Sequence, residues 1–374
     1  MMSINRYKIN RFWLCYFIIR LFYLLFSVLI YARLTTLGDT ENYLSGTIIP
    51  FSLRIFFDST FFMFFFGRII GSLFLGNMIL ANFPAMLISF FIIKWAVEKL
   101  ELRKYINNVF LMTIISFPNF SIWTSIWSKE TFGLVFAAII AVLIIDFIKG
   151  NYKIKKIDIL GFYLCLLFNP QFMPFILQGL IFIYMAHNFL KYKPMGQLWL
   201  AIVFLCINIL FLYIMRDLVN LYAGRMHAYF VFPGAGATRD NIFLEDYDFF
   251  RHLPWGMFIA FFGPTLGEMK ENPLHAIAGI ESLLKIFFFF YLSKYVFIKT
   301  FLKRRIPLVL PISYLMIFTG ILFIHYPFGV FNSGSAIRYR SRFIFMFIIL
   351  LLYLYGQRQK YDLVRKKSLC MTKK

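Results

Sequence analysis

The chain has 374 residues, 61% of them hydrophobic and only 15% charged, with a formal net charge of +22 and a mean hydropathy of +0.74. Soluble domains are about 45–50% apolar and about 25% charged, so an ordinary soluble domain is excluded. Most of the positive charge lies in short loops between apolar runs, where it sets orientation in a bilayer rather than binding nucleic acid.

Apolar runs of the ~20 residues needed to cross a bilayer recur along the whole length. The first, 12–31, has no small-residue cleavage pattern and reads as a span, not a cleaved leader. Next, LGDTENY (37–43) puts Asp39 and Glu41 two residues apart in a loop. Such a pair can hold a divalent cation or supply a general base to an acceptor hydroxyl; it can also be a solvated turn. Residues 50–70 carry Arg54, Asp58 and Arg68 among phenylalanines and read as an interfacial or re-entrant helix.

Spans are expected at 72–93, 106–125 and 132–148. Between the last two, at the outer surface, lie Lys129 and Glu130. Lys129 can neutralise a phosphate, with Glu130 as its partner. Alternatively, Ser128 caps the following helix and Glu130 complements its first turn. A short span at 157–169 runs into Asn169-Pro170-Gln171, with Pro174 beyond, which implies a tight outer turn or a broken helix. Spans at 172–190 and 197–215 follow.

Residues 216–275 form a connection of about sixty residues, far longer than usual, and are expected to be a long periplasmic loop. Arg225, His227, Arg239 and His252 lie in it, and acids with aromatics in EDYDFFRHLPWG resemble sugar-binding surfaces. The histidines can act as bases near neutral pH. Glu268 and Glu271 precede a span at 277–298, in which Glu281 has Lys285 as its i,i+4 partner. The last spans are 307–325 and 341–356. Before the final one, NSGSAIRYRSR ends in Arg338, Arg340 and Arg342. The serine-glycine stretch favours an extended start, which would point all three arginines one way; in a helix only Arg338 and Arg342 would share a face.

Six basic segments (6–11, 94–104, 149–156, 191–193, 299–305 and the tail 357–374) mark one side, taken as cytoplasmic. The expected fold is therefore all-α: one polytopic membrane domain over 1–374, about ten spans and both termini inside. Of the 39 basic residues, 24 lie in those segments, 17 of them lysine; of twelve on the opposite side, ten are arginine. Lysine inside is generic topology. Arginine outside runs against it, and its planar fork suits a lipid phosphate or pyrophosphate. Cys15, Cys165, Cys206 and Cys370 form no CxxC or Cys/His cluster, so neither a disulfide framework nor a zinc site is expected. No internal repeat and no Rossmann or P-loop fingerprint appears.

A GD-x-x-x-Y element after the first span, the Ser128-Lys129-Glu130 step, the large outer segment and Asn332-x-Gly334-x-x-x-Arg338-Tyr339-Arg340 together resemble bacterial polysaccharide-assembly membrane proteins. These include O-antigen and capsule polymerases and the wider GT-C glycosyltransferases. An Arg225-x10-Gly236 spacing is similar to a loop motif of O-antigen polymerases. The resemblance implies a GT-C-like fold in a bacterial inner membrane and glycan transfer from a polyprenyl-pyrophosphate-linked donor to a glycan acceptor. It also implies a polysaccharide chain-length regulator as partner. In that reading Asp39, Glu41 or His227 takes the acceptor proton. Lys129, Glu130, Arg225, Arg239, His252, Glu268, Arg338, Arg340 and Arg342 bind substrate. No cofactor or metal site is required by it; a divalent cation at the acidic pair is an option that the loose Asp-Thr-Glu pattern weakens. Two other classes fit the layout: a GT-C enzyme adding one sugar from a polyprenyl monophosphate, and a lipid-linked oligosaccharide flippase. A flippase should carry charge deep in several spans along a central path, and charges inside the spans are few, Arg20, Glu281, Lys285 and Lys294 among them.

Overall fold

The structure, a computed structural model, describes residues 10–190, 193–231, 239–271, 273–298 and 308–356. All regular structure among the described residues is helical, as required of backbone that must satisfy its polar groups without water. The helices are α1 (Arg11–Leu34), α2 (Ser59–Leu73), α3 (Met78–Lys99), α4 (Asn108–Ile115), α5 (Pro118–Trp123), α6 (Lys129–Ile148), α7 (Lys156–Phe168) and α8 (Met173–Asn188). They continue as α9 (Pro194–Ile214), α10 (Arg216–Val231), α11 (Leu253–Phe262), α12 (Leu274–Phe297), α13 (Val309–Gly329), α14 (Ser333–Arg340) and α15 (Ile344–Gly356). Among the described residues six helices (α1, α3, α6, α9, α12 and α13) are long and apolar enough to cross a membrane, or seven crossings if α7 and α8 are one bent span. The chain is a multi-pass helical membrane protein. It divides into two compact units, residues 1–131 and 132–374.

In the first unit α1 packs on α3 through Trp13, Phe17 and Phe90. The expected span 106–125 is not one helix. Pro118 has no amide hydrogen to donate and pushes Phe117 out of the helical region, so α4 ends at Ile115 and α5 restarts at Pro118. The broken segment still travels the length of α1. Arg103 lies over the Phe12 ring, the Tyr16 hydroxyl donates to the Ile115 carbonyl (3.3 Å), and Trp123 packs edge-on to Tyr31. Beyond it Trp127 donates its backbone N–H to Asn82 (2.6 Å) and its indole N–H to the Met63 carbonyl (3.2 Å).

A helix stopping inside an apolar bundle leaves carbonyls with no water to meet them. At the end of α5 the donor is Arg20, which is fully buried: it bonds the Thr124 carbonyl (2.6 Å), the Thr124 hydroxyl (2.9 Å) and the Ser89 hydroxyl. The charge inside the first span is thus a helix cap.

The phenylalanine-rich α2 has 15 residues, about 22 Å of helix, too short to span and in line with an interfacial or re-entrant element. Asp58 caps it, accepting from Thr60 N (2.8 Å) and Phe61 N (3.1 Å) and pairing with Arg54. Burial opposes ionisation there, but these bonds outweigh it and hold the carboxyl below its ordinary range. Gly67 and Gly71 let α2 cross the 43–44 backbone closely: an added Cβ would lie 2.5 Å and 1.9 Å from the Tyr43 and Leu44 carbonyl oxygens.

In the second unit α7 and α8 meet at a bend of 117°. Phe168 stacks on Phe132 and Phe172 packs on Phe343 at the turn, whereas Tyr152 bonds His187 at the opposite end, where Lys149 lies over Tyr353. The pair therefore goes out and returns, with Asn169-Pro170 at the turn. α8 packs on α13, with Gly179 against Ile317 and Phe175 against Gly320. α9 is nearly unburied, with 6% of its apolar stretch covered by the described residues.

The segment 216–275, expected as a long loop, is largely helical. It contains α10, a turn of helix Asp248–Arg251, α11 and the short helix Leu266–Glu271. α11 is apolar throughout and enters the bundle. Phe261, near its end, is buried against Phe289, Phe318, Phe343 and Phe347. No run of polar residues exists to keep Leu253–Phe262 in water, so burial decides its place.

Candidate functional site

Because α11 ends inside the bundle, its last carbonyls need donors. Arg340, fully buried, supplies them: Nη1 donates to the Phe261 carbonyl (2.7 Å) and the Gly263 carbonyl (2.8 Å), and Nη2 to the Ser282 hydroxyl (2.9 Å). Ser282 also reaches the Gly263 carbonyl (2.8 Å), and a buried His325 Nε2 lies 3.1 Å from the Ala260 carbonyl. A guanidinium at a helix C-terminus also meets the negative end of its dipole. Beside it, Glu281 and Lys285 pair on α12, both almost fully buried.

The end of α13 is capped in the same way. Arg239 donates Nη1 to the Gly329 carbonyl (2.7 Å), while Nε and Nη2 form a two-pronged pair with Glu268 at 2.8 and 2.9 Å. Glu268 further accepts from Thr265 N (2.7 Å). Burial raises its pKa, but the Arg239 fork and the Thr265 donors outweigh that and hold it below the ordinary carboxylate range. Arg239, Glu268 and Arg340, expected to bind substrate, are therefore engaged in holding helix ends.

The three arginines before the last helix do not point one way. Asn332 caps α14 through the Ser335 N–H (2.6 Å), so the serine-glycine stretch starts a helix instead of an extended strand. Helical spacing turns Arg340 inward and leaves Arg338 and Arg342 half-buried on the other side. Both guanidiniums lie over the Tyr339 ring, at 5.8 and 4.5 Å from its centre. The first turn of α6 adjoins them: a Cβ on Gly133 would lie 2.6 Å from the Arg342 Cβ. Ser333, at the start of α14, lies 3.2 Å from His275 Nε2. This end of the second unit thus holds two adjacent guanidiniums on a tyrosine, with a serine–histidine pair at the same helix. Such a group can bind a phosphate or pyrophosphate by charge and by planar donors.

The remaining expected residues are placed as follows. In the first unit Asp39 and Glu41 are both exposed, Asp39 at the N-cap and Glu41 in the first turn of the short helix Thr40–Leu44, and the Tyr43 hydroxyl is 3.4 Å from Asp39. Lys129 bonds the Thr60 hydroxyl (2.7 Å) and is half-buried; Glu130 is completely buried. Ser128 sits at the start of α6, with Thr131 N 3.4 Å from its hydroxyl and Glu130 in the first turn, which agrees with the capping alternative. Arg225 is exposed beside Tyr222, and His252 is half-buried between two helical turns. The His227 side chain, Gly236 and the basic segments 6–9, 191–192, 299–305 and 357–374 lie outside the described residues. No group of three His, Cys, Asp or Glu side chains among the described residues is arranged to hold a metal ion.

His325 and Tyr339 were not expected, nor was the His275–Ser333 pair. A histidine inside an apolar span is itself a signal and pointed to His325. Nothing in the sequence brings residue 275 to 333. Comparison with family models, curated proteins and solved structures finds no match for the chain.

Proposed function

We propose that the protein is a glycan-assembly enzyme of a bacterial inner membrane, taking its donor from a polyprenyl-(pyro)phosphate-linked sugar chain. The observation that carries the reading is the pair Arg338 and Arg342, one turn apart, flanking Tyr339. Arg340, bonded into the bundle, fixes the helix that presents them. In this reading Arg338 and Arg342 hold the phosphate oxygens and stabilise the leaving group as charge develops on it. The sugar–phosphate bond breaks, the acceptor hydroxyl forms the new glycosidic bond, and its proton passes to a base. The candidate bases are Asp39 or Glu41 in the first unit and, in the second, His275, whose Nε2 lies 3.2 Å from the Ser333 hydroxyl.

The proposed topology has about ten crossings, counting the six long helices, the broken segment 108–127, α7 and α8 separately, and α15, in a GT-C-like arrangement. Both termini are cytoplasmic, and Arg338 lies at the periplasmic end. The route of 108–127 along α1 supports it, as does the return of α8 to Tyr152. Addition of a single sugar from a monophosphate donor uses the same arginines. A flippase is less well supported, because the deep charges Arg20 and Arg340 are bonded to helix-end carbonyls and Glu281 is paired with Lys285. The test is transfer by purified protein from a polyprenyl-pyrophosphate-linked repeat unit. Arg338→Lys keeps charge and loses the fork; activity lost with folding intact supports the reading, and full activity refutes it.

A further inference from the structure

The exposed side of α10 carries an arrangement that the transfer chemistry does not use. Tyr247, in the turn before the short helix Asp248–Arg251, has a left-handed backbone (φ +66°), a conformation that a bulky residue holds only when its surroundings fix it. Two residues of α10 fix it. Asn220 accepts its backbone N–H (2.9 Å), and Asp217 accepts its hydroxyl proton (2.6 Å). The Asn220 amide also donates to Asp246 (2.9 Å). Arg216 lies over the rings of both Tyr213 (4.7 Å) and Tyr247 (5.8 Å). Every one of these side chains except Asn220 is substantially exposed. The Asp217 bond raises the Tyr247 phenol above its ordinary pKa, so the ring stays neutral through the physiological range.

We propose that Tyr247, with Asp217, Asn220, Asp246 and Arg216, is a binding platform for a neutral pyranose glycan. A sugar ring has an apolar face that packs on an aromatic ring, and a rim of hydroxyls that need acceptors and donors. Here a ring pinned at both ends lies beside two carboxylates, an amide and a guanidinium. Fixing these groups before the ligand arrives removes an ordering cost from binding. The local charge argues against an anionic lipid headgroup: Arg216 pairs with Asp217, Arg251 lies near both Glu245 and Asp248, and Asp246 adds a further negative charge bonded to the Asn220 amide. α10 packs through Ala223 against Tyr326 and Phe331, the end of α13 that leads into α14. The platform therefore serves the same end of the unit as Arg338, and assigning the glycan as the acceptor rests on the transfer reading above; the binding itself does not.

The experiment is saturation-transfer NMR on the full chain in detergent, with linear neutral pentasaccharides of glucose, galactose, mannose or N-acetylglucosamine as probes. At least one should receive saturation from aromatic protons. Tyr247→Ala and Asp217→Asn should each raise its Kd about tenfold, the scale of one aromatic or one hydrogen-bonded contact, with thermal unfolding showing the variants folded. Tyr247→Phe, which keeps the ring, should lose less than Tyr247→Ala. Arg338→Lys should leave pentasaccharide binding intact while stopping transfer, so the two claims fail separately. The proposal is overturned if no pentasaccharide binds at millimolar concentration, or if binding ignores both Tyr247→Ala and Asp217→Asn. It is also overturned if those variants change only attachment to phosphatidylglycerol vesicles, which would make the tyrosines interface anchors.

Discussion

Replacing Arg340 by alanine should damage the fold, and replacing Arg338 should not. Arg340→Ala removes donors to the Phe261 and Gly263 carbonyls and to Ser282. Gly263 keeps Ser282 as a donor, so the principal stranded acceptor is the Phe261 carbonyl, deep among phenylalanines. A hydrogen bond to a charged group is worth about 1.5–3 kcal/mol, and a stranded buried acceptor costs about 1–3 kcal/mol. Removing a buried cation near Lys285 offsets part of the loss, which leaves roughly 3 kcal/mol. For a unit of this size that lowers Tm by about 6–12 °C. The probe is Cys165, which is fully buried, reacted with a fluorogenic maleimide on heating after Cys15, Cys206 and Cys370 are changed to serine. Arg340→Lys, with one donor group, should recover part of the shift. Arg338→Ala, at a partly exposed position worth no more than about 0.5 kcal/mol, should move Tm by no more than about 2 °C, while abolishing transfer. If Arg340→Ala unfolds at the wild-type temperature, Arg340 is not a helix cap and the division of labour among the three arginines is wrong.

Arg20→Ala should destabilise the first unit by a similar roughly 3 kcal/mol, read as earlier proteolysis in the 108–127 segment; unchanged protection would remove the capping account there. The Glu268 carboxyl, held low by Arg239, contributes stability that is fully present above the ordinary carboxylate pKa near ~4.3. That contribution is lost as pH falls through this value and on through the lower folded one, so acid should lower Tm. Glu268→Gln should be less stable at pH 7 and should lack that part of the acid dependence; an identical acid profile would contradict the pairing. Asp39→Asn should abolish transfer without altering stability, and EDTA tests separately for a cation; full activity in the Asp39→Asn/Glu41→Gln double variant would reduce the pair to a solvated turn. Cysteines at the exposed positions Glu41 and Gly334 should be labelled from the periplasm and one at Lys153 should not; the reverse pattern would invert the topology.

Much of the fold was legible because apolar length and basic loops follow directly from the bilayer. α1, α3, α6, α9, α12 and α13 fall at or near expected spans, and the proline after Asn169 marked the turn between α7 and α8. What the sequence hid was depth. Nothing local says that α4 and α5 both lie along α1, or that α11 dives into the bundle; both depend on partners far along the chain, such as Tyr16 with Ile115 and Phe261 with Phe347. The same ignorance misled the reading of the arginines. Arg20, Arg239 and Arg340 were conspicuous as charges, but their role depends on which helices stop inside the apolar interior. Arg338 and Arg342 stay half-buried over Tyr339 because α14 is helical, an alternative that the spacing left open.

The most direct test of the central claim is the product pattern from purified protein in proteoliposomes given a polyprenyl-pyrophosphate-linked repeat unit. The account predicts lengthened lipid-linked glycan with the wild-type chain. Product should be lost in Arg338→Lys and Arg342→Lys at unchanged thermal stability. Unextended repeat unit, moved from one leaflet to the other with equal efficiency by wild type and both variants, would contradict it.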